Sequence, residues 1–209
     1  MMFWILASFL ISLAGSTETA KLSVDPHPSI RIIEEKDDLV RFDLDFGFYE
    51  IRQAQAYLND RFPSIRLPVS ISKNGMANEE IDFADPNTKP AILDLLKKIS
   101  VASIKIHEDK TSKKRPSIRL TWLEKINSSK GIRLAKGELW LDGQAAVRFS
   151  LMKSKWSQSP RSWWVAFPAR WREDSNYWED LFVIKDKSLK KEIIQIVREA
   201  YLDRYYEEE

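Results

Sequence analysis

Pro28-Ser29-Ile30-Arg31 recurs as Pro116-Ser117-Ile118-Arg119, and the same order of features follows each tetrapeptide. After the first, Val40, Phe42, Leu44 and Phe46 alternate with Arg41, Asp43 and Asp45, the period of a half-buried strand. Gly47 offers a turn, and Tyr49 with Ile51 opens a returning strand. After the second, Leu139 and Leu141 lead into Asp142-Gly143, a strong hairpin signal. Val147, Phe149 and Leu151 then alternate with Arg148, Ser150 and Met152. Gly47…Ile51-Arg52 and Gly143…Val147-Arg148 keep one spacing from turn to strand. Each half closes on a helix. Asp85-Pro86-Asn87-Thr88 has helix-start chemistry ahead of a stripe of Ile92, Leu95, Leu96 and Ile99. Asp186 or Ser188 caps a second helix carrying Leu189, Ile193, Val197, Ala200 and Tyr201 on one face. The pattern predicts an α+β fold of two tandem units, each a small antiparallel sheet of three to five strands followed by a C-terminal helix. A helix covers only one face of such a sheet, and a unit this small buries only about 60% of its unfolded surface. The two units are therefore expected to pack together as an intrachain pseudo-dimer.

The boundaries predicted are an apolar leader over 1–20, a first unit over 21–106, a charged linker over 107–116 and a second unit over 117–206. Within the first unit Ile65, Leu67, Val69 and Ile71 alternate with polar residues, and Pro68 inside that run predicts an edge strand or a bulge. Asn74-Gly75 marks a turn, Ile81 with Phe83 a short strand, and residues 101–106 one more. In the second unit Trp163, Val165 and Phe167 fall on one side of an extended run and Trp164 and Ala166 on the other. With both faces apolar, this run is read as a central strand covered on both sides, stopped by Pro168. Ala169-Arg170-Trp171-Arg172 then reads as a basic, aromatic loop, and residues 177–184 as the last strand.

Met1 to Ala14 is almost wholly apolar, then polar from Gly15. About fourteen residues is too short for a membrane-spanning helix and suits a secretory h-region, with Ser12-Leu13-Ala14 as a cleavage site. No Lys or Arg precedes the run, so a docked segment or a misplaced start codon remains an alternative to a signal peptide.

The absence of cysteine excludes disulfides, thiolate metal sites and a thiol nucleophile. His27 and His107 lie near no second cluster of ligands, which argues against catalytic zinc. There is no glycine-rich phosphate loop, nucleophile elbow or metal-binding helix motif. Asp43 and Asp45 share one strand face, an ordinary arrangement for an exposed face. The chain is read as non-enzymatic, without a cofactor. Its charge is uneven: residues 101–209 carry 22 Lys+Arg against 16 Asp+Glu, and seven of the eight tryptophans. Basic charge interleaved with aromatics is the composition of a nucleic-acid surface. The candidate contacts are Lys153, Lys155, Arg161, Arg170 and Arg172 for phosphates, with Trp171 stacking on a base. The competing reading has the tryptophans building a core or a protein interface, with Trp156, Trp164 and Trp171 the candidates for exposure.

The second half also resembles a known family. Ile118-Arg119-Leu120, Leu134-Ala135, Leu141-Asp142-Gly143 with Val147-Arg148, and above all Val165-Ala166-Phe167-Pro168-Ala169-Arg170 resemble the blocks of the stage V sporulation protein G (SpoVG) family. The likeness extends through Tyr177…Asp180-Leu181 to Ala200-Tyr201-Leu202-Asp203-Arg204-Tyr205. The first half carries it more faintly, in residues 67–73 and at Asp85-Pro86. The resemblance implies a sheet-plus-helix unit that pairs as a dimer, here fused in one chain. It further implies a cytoplasmic bacterial regulator tied to septation, cell division and sporulation that binds DNA or RNA. By position, Arg170 matches the family's basic residue after the proline, while Trp171 stands where a basic residue is usual. The family's His-Pro before the helix is missing from the second half, where Leu181-Phe182-Val183-Ile184 stands. An exported or envelope-associated protein-interaction domain that reuses the fold is the alternative, through the apolar segment 1–14.

Overall fold

The computed structural model describes residues 28–59, 61–101, 115–127, 132–157, 159 and 162–205. The leader 1–20, Arg161 and most of the linker lie outside the described residues, as do residues 102–106 of the strand expected over 101–106; Val101 itself ends a helix. The architecture is α+β. The first run of elements is β1 (Ser29–Lys36), β2 (Leu39–Asp45), β3 (Tyr49–Tyr57), β4 (Ser64–Arg66), β5 (Ser70–Ile71), β6 (Ala77–Asn78), β7 (Ile81–Phe83) and α1 (Thr88–Val101). The second is β8 (Ile118–Lys125), β9 (Arg133–Leu141), β10 (Ala145–Lys153), β11 (Trp163–Ala166), β12 (Ala169–Arg172), β13 (Tyr177–Asp180), β14 (Phe182–Ile184) and α2 (Lys187–Tyr205). Neither described helix is long and apolar enough to cross a membrane.

Three sheets result, and each draws strands from both runs. The first has the order β1-β2-β3-β14, with β4 also on β3; the second has β11-β10-β9-β8, with β7 also on β10. The third joins two hairpins in the order β13-β12-β5-β6, with β12 parallel to β5. The strand before each helix thus pairs with the third strand of the other run. Both pairings keep one register: Ile184 faces Tyr49 and Phe182 faces Ile51, while Phe83 faces Ala145 and Ile81 faces Val147. The flanking hydrogen bonds match as well. Arg52 N–H donates to Leu181 O (2.9 Å) and Arg148 N–H to Glu80 O (2.8 Å).

Alternation decides which faces are buried. Val40, Phe42 and Leu44 of β2 join Tyr49, Ile51, Ala54 and Ala56 of β3 in the core. Leu139, Val147, Leu151, Trp163 and Val165 line the inner face of the second sheet, where α2 packs along β8 and β11. Leu189, Ile193, Val197 and Tyr201 form the buried stripe of α2, with Tyr201 edge-on to Trp163 at 5.4 Å. Gly137 is required there, because a Cβ would stand 2.6 Å from the Phe149 ring and 2.7 Å from the Trp122 carbonyl. Asp186, not Ser188, caps α2: its Oδ1 accepts from Leu189 N–H at 2.7 Å.

Several expectations are corrected. The Trp163–Ala166 strand lies at the edge of its sheet and is covered on one face only; Trp163 and Val165 are buried while Trp164 is 41% exposed. Periodicity reports two apolar faces but not a strand's place in the sheet. Ala169–Arg172 is a strand rather than a loop, and residues 177–184 break into β13 and β14, which enter different sheets. Asp43 is buried rather than exposed, at 4%.

Candidate nucleic-acid interface

The expected site residues separate by strand geometry. In β12 successive side chains alternate, so Arg170 and Arg172 leave one face and Trp171 the other. Arg170 is half-buried; its Nη1 donates to Gln53 Oε1 (3.1 Å) and its Nη2 to Val69 O (3.5 Å). Its Nε is buried with no hydrogen-bond partner among the described residues. Arg172 donates to both oxygens of Asp174, at 3.3 and 3.0 Å, and lies 3.8 Å from Glu179. The guanidinium holds the Asp174 carboxyl below the usual carboxylate range, helped by Ser175, and Asp174 raises the Arg172 pKa in return. Trp171 is half-buried, with the Lys73 ammonium 4.0 Å from its ring centroid and Trp178 edge-on at 5.4 Å. Lys153 ends β10, half-buried; Lys155 is exposed in the following turn beside Trp156, which is 94% exposed. Arg170 and Arg172 are therefore committed within the chain, and Lys153 and Lys155 belong to the end of β10 and the turn after it.

What holds Arg170 is a polar network the sequence does not announce. Gln53 adopts φ 60° in a bulge where the β2–β3 register shifts, and its N–H donates to Asp43 Oδ1 at 2.8 Å. Its amide bonds Glu179 on one side and Arg170 on the other. Arg31 donates to Asp43 and to Glu50 (2.9 Å), and Arg52 to Glu50 (3.1 Å), so both buried carboxylates are neutralised. Positive φ at glutamine leaves no mark in a sequence.

An open groove of about 950 Å³ lies on the outer face of the second sheet. One wall is a cross-strand row formed by Arg133, Met152 and Trp164, which face each other in the β9–β10–β11 register. Met76 and the 47% exposed Trp178 of the two hairpins line the groove as well, together with Phe167 and Pro168. Its charged lining is Arg133, Arg148 and Lys190 against Glu80 and Asp180. Arg148, Ser150 and Met152 were legible as the polar face of their strand. The lining from Met76 and Trp178 was not, because hairpins distant in sequence supply it. A second depression of about 540 Å³ adjoins at Glu80 and Arg148, with Glu79, Asp82 and Glu138 making it more acidic.

No family model, no curated protein and no solved structure matches the chain.

Proposed function

We propose that the chain is a fused pair of SpoVG-like units that serves as a non-enzymatic, nucleic-acid-binding regulatory protein, with the strand lying in the Trp164–Trp178 groove. The reciprocal pairing of β7 and β14 in one register supports the fused pair, since two such units would trade equivalent strands. The observation that carries the function is the Arg133–Met152–Trp164 row in a groove that Trp178 also lines. Tryptophan faces accept any base, and Arg133 and Lys190 supply phosphate contacts beside them, while Arg148 is held by Glu138 (3.7 Å) and the Glu79 carbonyl (3.3 Å). Two such cations imply a slope of about −1.4 for log affinity against log salt on a single strand.

Titration of a labelled single-stranded oligonucleotide by fluorescence anisotropy tests this. Loss of one stacked base costs about 1–3 kcal/mol, so Trp164→Ala weakens binding by roughly five- to 150-fold. Arg172→Ala, whose partner is Asp174, leaves affinity within about two-fold. An absence of affinity at about 50 mM salt for both single and double strands contradicts the proposal.

A second reading rests on the groove's composition. Met76, Met152, Trp164, Trp178 and Arg133 are the residue types enriched at protein interfaces, which suits an exported interaction domain. Cleavage of the mature protein near Ala14 would favour it.

A further inference from the structure

Among the described residues, the two most exposed large apolar side chains are Trp156, at 94%, and Phe62, at 82%. They occupy corresponding places, each in the connection between the third and fourth strands of its run, β10 to β11 and β3 to β4. A local turn shapes each connection: Asn59 Oδ1 accepts from Arg61 N–H (2.9 Å) and Ser154 Oγ from Trp156 N–H (3.2 Å). In sequence each ring has cations close by, Arg61 before Phe62, and Lys153 and Lys155 before Trp156. Neither ring has an aromatic or cationic partner among the described residues, and neither lines the groove.

We infer that these two tips form a docking surface for an anionic lipid membrane. A single exposed aromatic is ordinary, but the two largest exposures at equivalent turns are not scattered. Aromatic rings with adjacent lysine or arginine suit the boundary between headgroups and acyl chains. Each basic residue close to an anionic surface adds about five-fold to partitioning. In the fused pair proposed above the two turns are equivalent points, and one surface is inferred to reach both. A nucleic-acid strand is less suited to them. It needs a track of cations leading to each ring, and Phe62 has Arg61 alone, with Asp60 in the same connection. The inference shares with the proposed function only the paired arrangement of the two runs and is independent of the groove.

The test is co-sedimentation of the full chain with vesicles of phosphatidylcholine, with and without phosphatidylserine, read alongside tryptophan emission. The leader 1–14 is then present in every arm. The inference expects binding to the phosphatidylserine vesicles with a blue shift. Trp156→Ala and Phe62→Ala should each lower the partition coefficient by about five-fold or more, and the double variant by at least about 20-fold. Lys153→Gln/Lys155→Gln should lower the preference for phosphatidylserine by about ten-fold or more, and Trp164→Ala should leave partitioning unchanged. Neither tip packs in the core, so circular dichroism and Tm should match the parent. Failure to bind the anionic vesicles, or binding indifferent to the double variant, overturns the inference. Quenching of Trp156 by an oligonucleotide without any shift on vesicles overturns it too, and assigns the tip to nucleic acid.

Discussion

At Tyr49 burial and chemistry conflict. The ring stacks on Phe46 at 4.6 Å and lies 5.6 Å from Phe182, while its hydroxyl is buried with no hydrogen-bond partner among the described residues. Burial, and then the Asp142 carboxylate, pushes the phenol pKa up, so the folded protein holds it neutral. A group whose folded pKa is raised contributes stability below its unfolded pKa, about 10 for tyrosine, and loses it as pH rises beyond that value. Tyr49→Phe removes an unsatisfied hydroxyl and keeps the ring, so it should raise stability by about 1 kcal/mol at pH 7. It should also flatten the alkaline decline above about pH 10. Thermal melts from pH 7 to 11 check both, and a lowered Tm at pH 7 would refute the account. At this scale the sequence was readable where period two governs, as at Val40, Phe42 and Leu44. It was silent where tertiary bonds govern: nothing beside Gln53 foretells its positive φ or its hold on Arg170.

At the scale of elements, α2 depends on its entry. Asp186 Oδ1 accepts from Ser188 Oγ and from Leu189 N–H, and these bonds hold its carboxyl below the usual carboxylate range. A depressed pKa contributes stability above the unfolded value, about 4, and loses it as pH falls through the lower folded value. Asp186→Ala should lower the Tm at pH 7, with the gap to the parent closing as the pH drops below about 4, whereas Asp186→Asn should keep most of the cap. A constant gap from pH 7 to pH 3 would count against this origin. Element identity was largely legible in both helices, because apolar spacing and cap chemistry are local. The Trp163–Ala166 strand was misplaced for the opposite reason. Trp164 is apolar because it lines a groove rather than a core, and a single sequence does not separate the two uses. Arg170 and Arg172 read as a free basic loop because the fold alone brings up their partners Gln53, on β3 of another sheet, and Glu179, on the paired strand β13.

At the scale of the molecule, the strand before each helix leaves its own run for the sheet of the other. The order of features after each Pro-Ser-Ile-Arg made two similar halves legible, but a repeat in sequence says nothing of which half a short strand joins. Ile81-Asp82-Phe83 and Phe182-Val183-Ile184 look like strands for either sheet. The trade explains why Ile81 and Phe182 are both buried, and it sets the hairpins of the two runs side by side above the groove. Because the chain has no cysteine, the trade can be read directly from engineered disulfides. Asp82 faces Ala146, and Glu50 faces Val183. Directly opposed residues in antiparallel strands lie about 5.5 Å apart or closer, within disulfide reach. The deciding measurement is mass spectrometry of oxidised Asp82→Cys/Ala146→Cys and Glu50→Cys/Val183→Cys. Intramolecular bridges in both double variants are the expected result; thiols that stay reduced, or bridges only between chains, would contradict the exchange.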